Sequence, residues 1–154
     1  MRITDIMQHQ TAAIRNTATL REAAELLVQS QASDLCVVNN NNTFMGIVSE
    51  GDLIRASMPD FNEVVATGVS HEEIMKMIVE TGQKIADQTI ERLIISAPFT
   101  LHPQDPVMKA AAVMLDKMIR RLPVVQDGRL CGTLSRAELV WGIMGPANTD
   151  SKPL

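Results

Sequence analysis

Two copies of a β-α-β-β-α unit, related by pseudo-twofold symmetry with their sheets packed together and a helical insert between the copies, make up the α/β (α+β) fold predicted by this sequence. Three observations predict it. First, residues 87 positions apart match in character: Ile3 with Ile90, Ile14 with Leu101, Leu20 with Val107, Ala23 and Ala24 with Ala110 and Ala111, and Leu35, Val37 and Val38 with Leu122, Val124 and Val125. Similarity at a fixed spacing marks repeated structural units. Second, the stretch Gly46-Ile47-Val48-Ser49-Glu50-Gly51-Asp52-Leu53 recurs, altered, as Gly132-Thr133-Leu134-Ser135-Arg136-Ala137-Glu138-Leu139. Third, one such unit has a single apolar sheet face and two helix stripes, too little to fold alone, whereas a pair buries both. The predicted divisions are residues 1–57 for the first repeat, 58–89 for the insert, 90–145 for the second repeat and 146–154 for a frayed tail rich in Pro, Asn, Asp and Ser.

Each repeat opens on a short strand, Thr11 to Ile14 or Phe99 to Leu101, followed by a polar turn that contains Pro103 and Pro106 in the second copy. A helix follows. In the first copy it starts at the cap Thr19 and carries Ala23, Ala24, Leu26 and Leu27; in the second it carries Ala110, Ala111, Val113, Met114, Leu115 and Met118. The continuous apolar runs Leu35-Cys36-Val37-Val38 and Leu122-Pro123-Val124-Val125 are too short for helices and predict buried strands. Turns come next at Asn39 to Asn42 and at Gln126-Asp127-Gly128-Arg129, where Asp-Gly is a hairpin signal. Gly46 and Gly132 then release the chain from the hairpin into a third strand, and a second helix begins at Ser49 or Ser135. In the insert, Pro59 breaks the preceding helix and Ser70-His71-Glu72-Glu73 predicts a capping box. Ile74, Met77, Ile78 and Ile85 recur at helical spacing beyond it, with Glu72, Lys76, Glu80 and Lys84 on the wet side. This amphipathic helix packs on its own domain or serves as a dimer contact.

Composition narrows the function. The 154 residues are 45% apolar and 21% charged, a globular balance, and the net charge of −4 lacks the basic surface that general nucleic-acid binding requires. Three Phe, one Trp and no Tyr leave few platforms for stacking bases. Cys36 and Cys131 sit in strand-like runs without metal spacing, which fits free thiols in a reducing compartment, with a disulfide as the alternative. An acid at Asp5 where a secretory leader turns apolar, and no apolar run near the roughly 20 residues that span a bilayer, predict a cytoplasmic protein with no membrane contact. His9, His71 and His102 are scattered, and neither cysteine has a base beside it, so no enzyme activity is expected.

The recurring motif carries the chemistry. A serine at a helix start with an acid three positions on places both on one face of the first turn, where backbone N–H groups also point. Such a place can hold a polyhydroxylated anion, or it can simply be a capping box that satisfies the helix terminus.

With Arg121-Leu122-Pro123-Val124-Val125, Asp127-Gly128-Arg129-Leu130 and Gly132-Thr133-Leu134-Ser135, the repeats resemble the CBS domain, and the pair resembles a Bateman module. The resemblance covers Ile3 to about Ala56 and Ile90 to about Gly145. It implies two clefts that take adenosine nucleotides or related adenosyl compounds. Asp52 then accepts from ribose hydroxyls, and Ser49 and Ser135 contribute to ribose or phosphate contacts. Glu138 stands where the family has aspartate, and Cys36 where it usually has proline. Adenine would lie between Met7, Ala12, Leu35 and Val37 in repeat one, and between Ile94, Phe99, Thr100 and Leu122 in repeat two. Phosphates call for cations, which Arg120, Arg121 and Arg136 supply; the first-repeat counterparts Ser33, Asp34 and Glu50 are neutral or acidic. A nucleotide held by Asp52 is therefore expected to send its phosphates toward Arg120 or Arg121.

The function this implies is regulatory: a module that binds and senses AMP, ADP or ATP, requires no cofactor, forms a homodimer and passes ligand occupancy to an unidentified protein partner. The alternative is a structural or protein-interaction CBS module whose cleft is vestigial or takes another adenosyl ligand such as S-adenosylmethionine.

Overall fold

The computed structural model describes residues 1–60, 62, 64, 66 and 68–145; the predicted tail at 146–154 lies outside them. Five α-helices and five strands are described: β1 (Ala13–Arg15), α1 (Leu20–Ser30), β2 (Asp34–Val38), β3 (Phe44–Ser49), α2 (Glu50–Ser57), α3 (His71–Ile85), α4 (Val107–Asp116), β4 (Arg121–Gln126), β5 (Arg129–Ser135) and α5 (Arg136–Met144). A short 3-10 turn precedes each repeat, at Ile3–Asp5 and Ile90–Leu93. From the first helix of each repeat onward, the order helix, strand, strand, helix is the predicted one.

Caps set the helix starts. Thr19, Ser49, Ser70 and Ser135 each accept from the backbone N–H three residues on, and in each case the acid at that position returns a bond to the cap's own N–H. Two orphan donors are thereby satisfied at each terminus. The hairpin after β4 turns on Asp127 and Gly128, both at positive φ, as the Asp-Gly signal predicts.

The chain forms two compact units, and neither is continuous in sequence. The repeat-one unit comprises Ala12–Asn41 and Met45–Ser96; the repeat-two unit comprises Met1–Thr11, Asn42–Phe44 and the chain from Ala97 onward. The leader in front of each repeat thus folds with the other repeat. In the repeat-two unit the Ile3 N–H donates to Asp105 O at 3.0 Å; in the repeat-one unit the Ile90 N–H donates to Ala18 O at 2.9 Å. Ile3 is fully buried with Leu101, Val107, Met114, Leu122 and Leu134, while Ile90 is fully buried with Ile14, Leu20, Leu35, Val37 and Val48. Burying each of these side chains is worth about 2 kcal/mol.

The leaders also explain the glycines. Gly46 and Gly132 do not end a turn, as the sequence suggested; they stand inside β3 and β5, where a leader backbone crosses. Ile47 and Ile95 exchange two 2.9 Å backbone bonds, and Gln8 and Thr133 exchange bonds of 2.8 and 3.0 Å. A Cβ at Gly46 would collide with the Ile95 carbonyl oxygen, and one at Gly132 with that of Gln8.

The repeats differ at their opening strands. In repeat one, β1 pairs in parallel with β2, and the Cys36 N–H donates to Ala12 O at 3.0 Å. Pro123 takes the place of Cys36 in repeat two and has no N–H to give. The predicted strand at Phe99 to Leu101 accordingly reduces to a single bridge between Leu101 and Val124. Neither Cys36, which is buried, nor Cys131, of intermediate exposure, is in a disulfide.

The insert helix α3 packs against α2 without burying any residue completely. Its predicted Lys76–Glu80 pair is present at 3.9 Å.

Candidate functional site

In the repeat-one unit, β3 ends where α2 begins, and that junction holds the candidate site. Ser49 is the N-cap of α2 and Asp52 its N3 residue, so helix geometry alone brings the carboxylate back over the cap. Asp52 Oδ2 accepts from the Ser49 N–H at 2.8 Å and from its hydroxyl at 2.7 Å. The Asp52 N–H donates to Ser49 Oγ at 3.2 Å, and an Arg55 guanidinium N–H reaches Asp52 Oδ1 at 2.6 Å. Only 8% of Asp52 is exposed. Burial acts to raise its pKa, but the Ser49 hydroxyl, the Ser49 N–H and the Arg55 guanidinium outweigh burial and hold the carboxyl below the ordinary aspartate value. The result is a buried, ionised carboxylate at a helix start.

Because the folded-state pKa is depressed, the stability that Asp52 contributes is complete above the ordinary aspartate range and drains away as pH falls through the lowered value. Urea midpoints of wild type and Asp52→Asn, measured from neutral pH downward, are expected to converge in acid. A gap that stays constant with pH would contradict this.

The predicted adenine walls sort differently from the sequence reading. Ala12, Leu35 and Val37 lie in the repeat-one core together with Ile94, which had been assigned to repeat two. Met7, assigned to repeat one, is buried in the repeat-two core with Leu122, and Phe99 packs against them. Met7 and Ile94 both belong to the exchanged leaders, which is why sequence order misplaces them. Leu35, Val37 and Leu122 are fully or almost fully buried and act as core residues; Thr100 is exposed.

The second motif copy is weaker. The Ser135 N–H donates to Glu138 Oε2 at 2.5 Å, and Ser135 Oγ accepts from the Glu138 N–H at 3.5 Å. Arg136 is not poised for an anion. Its guanidinium donates to Met114 O at 2.7 Å and to Ile119 O at 2.9 Å, satisfying carbonyls at and beyond the last turn of α4. Orphan carbonyls at a helix end compete for any guanidinium within reach, and here they win it. Arg120 is exposed and Arg121 half-buried, and neither forms an ion pair among the described residues.

Arg55 escaped the sequence reading. Its signal is local: a cation three positions after Asp52 faces it across one helical turn. A groove of about 380 Å³ also opens between α1, α2 and α3, lined by residues that include Leu20, Leu53, Ile54, Val79 and Ile85, and by none of the predicted ligand residues. Among the described residues no helix is long and apolar enough to cross a membrane.

The CBS domain family model matches residues 3–59 and again residues 90–145. The chain belongs to the CBS domain family. This tandem CBS chain is 31% identical over 137 residues to the CBS domain-containing protein CBSX2, chloroplastic, of Arabidopsis thaliana, a match that covers 82% of the chain and 56% of CBSX2. The chain thus spans about half the length of the curated Arabidopsis relatives it matches. A homoserine O-acetyltransferase of Methanocorpusculum labreanum is 30% identical over 127 residues, covering 82% of the CBS chain but 21% of that protein. Among solved structures, CBSX2 in complex with AMP superposes with a TM-score of 0.70 at 26% identity, covering 93% of this chain and 96% of that one. The CBS domain of a CBS domain-containing membrane protein from Sphaerobacter thermophilus gives a TM-score of 0.66 at 29% identity, covering 90% and 85%.

Proposed function

We propose that the chain is a regulatory module that binds an adenosine nucleotide, with Asp52 as the acceptor for the ribose hydroxyls and Ser49 beside it. One observation carries the reading: Asp52 is buried and kept ionised at the start of α2. A carboxylate is an acceptor only, with about four lone-pair sites; Oδ1 gives one of its two to Arg55, and a pair of adjacent hydroxyl donors would take both. The relative CBSX2, solved in complex with AMP, supports the choice of ligand class. In the repeat-two unit Arg120 and Arg121, cations that no described carboxylate neutralises, are the phosphate partners on this reading. The module is non-catalytic on this reading; it acts by differential affinity, because a ligand shifts a regulated equilibrium only as far as it prefers one arrangement over another. A homodimer and a regulated protein partner belong to the same proposal.

A second reading, an interaction module with an unfilled cleft, is favoured by the engagement of Arg136 with the carbonyls of α4 and by Glu138 in place of aspartate. Calorimetry separates the two. Wild type is expected to bind AMP, ADP or ATP, and Asp52→Ala to lose at least about tenfold in affinity, the worth of a charge-assisted hydrogen bond. If wild type binds neither these nucleotides nor S-adenosylmethionine, the second reading stands.

A further inference from the structure

Asp52 already has a cationic partner, and that partner has a second use. Asp52 Oδ2 belongs to the Ser49 cap, while Oδ1 is held at 2.6 Å by Arg55, whose side chain is 68% exposed. An incoming diol has to find its acceptor at Oδ1, so it competes with the guanidinium and leaves the cap bonds alone. Arg55 is long and mostly solvated, so water takes up its guanidinium when it leaves, and the incoming hydroxyls replace the bond it gave to Oδ1. Once displaced, it is a cation beside the first turn of α2, where backbone N–H groups also favour negative charge.

The sequence around this contact is matched to it. Gly51 lies under the guanidinium, and a Cβ there would stand 3.3 Å from Arg55 Nη1, tighter than ordinary contact. At the equivalent places in repeat two the chain has Ala137 for Gly51, Glu138 for Asp52 and Trp141 for Arg55. All three parts of the contact are therefore missing together from the copy that has the poorer ribose acid. The neutral or acidic residues Ser33, Asp34 and Glu50 leave repeat one without an obvious partner for phosphate at those positions; a displaced Arg55 supplies one.

We infer that Arg55 is a specificity-determining residue of the Asp52 site: it occupies Oδ1 in the free protein, is displaced by the vicinal hydroxyls of a ligand, and then pairs with that ligand's anionic group. The inference rests on the proposed nucleotide function. It makes the site selective for molecules that carry a diol and a negative charge together, because a neutral diol must displace the guanidinium with no return.

The test is calorimetry of wild type, Arg55→Gln and Arg55→Lys with AMP and with adenosine. Arg55 is exposed and outside the Ser49–Asp52 capping box, so both variants are expected to stay folded; because Arg55 helps hold the Asp52 carboxylate ionised, their urea midpoints are measured alongside and binding is compared only between folded proteins. Wild type should prefer AMP to adenosine. In Arg55→Gln that preference should fall about tenfold, with adenosine binding unchanged or tighter, and Arg55→Lys should restore part of it. If wild type binds AMP and the preference over adenosine is the same in Arg55→Gln, the role of Arg55 is overturned while the nucleotide function survives. If wild type binds neither compound, both fail together.

Discussion

Gly132→Ala is expected to lower stability by about 3 kcal/mol, and Gly46→Ala by at least as much. In each case the added methyl meets a backbone carbonyl, Gln8 or Ile95, that cannot rotate out of the way as a side chain could. Relief requires the leader to lift off its strand, which breaks the paired bonds of Gln8 with Thr133 or of Ile95 with Ile47. Gly46 carries an additional penalty, since its φ of 150° is one that side-chain-bearing residues rarely adopt. Gly128→Ala is the control: its φ is 76° but nothing lies within 4 Å of the added atom, so only left-handed strain of about 1 kcal/mol remains. Urea denaturation of the three variants measures the ranking. Should Gly132→Ala prove as mild as Gly128→Ala, the close approach of the leader is not what this glycine serves.

The second large effect is a crossed one. Ile3→Ala removes a fully buried side chain from the core of the repeat-two unit, and Ile90→Ala does the same in the repeat-one unit. Each is expected to cost about 3 kcal/mol from lost transfer energy and the cavity left behind. The location of the damage is more informative than its size. Hydrogen exchange resolved along the chain should show Ile3→Ala loosening β4 and β5 and leaving β1 and β2 protected, with the reverse pattern for Ile90→Ala. If Ile3→Ala instead exposes β1 and β2, the leaders belong to their own repeats.

These two results also mark what the amino-acid order could and could not reveal. The helices and hairpins were legible because their determinants are local: a threonine or serine with an acid three residues on, an Asp-Gly turn, a four-residue apolar run. The duplication was legible because Ile3 and Ile90, or Leu35 and Leu122, stand at one spacing. The exchange of leaders was not, since Ile3 and Ile90 are chemically identical and either fits either core. Long-range backbone bonds, such as those of Ile3 to Asp105 and Ile90 to Ala18, distinguish the arrangements. At the site, Ser49 and Asp52 could be paired by helical spacing, whereas the fate of the arginines depended on competition. Arg136 found carbonyls at and just beyond the end of α4, seventeen and twenty-two positions earlier in the chain. Arg55 found Asp52, one turn away. Pro123 and Cys36 were visible as a difference between the copies, but its consequence, a strand in one repeat and a lone bridge in the other, needed the neighbouring backbone.

The interlocked leaders impose an order on synthesis. As the chain leaves the ribosome, the segments 12–41 and 45–96 can settle together as soon as Ser96 has emerged. The first eleven residues cannot, because their seat is made from Ala97 onward. Ile3, Ile6 and Met7 consequently stay uncovered until the chain beyond Ala97 has emerged, a window in which a nascent-chain chaperone has apolar side chains to hold.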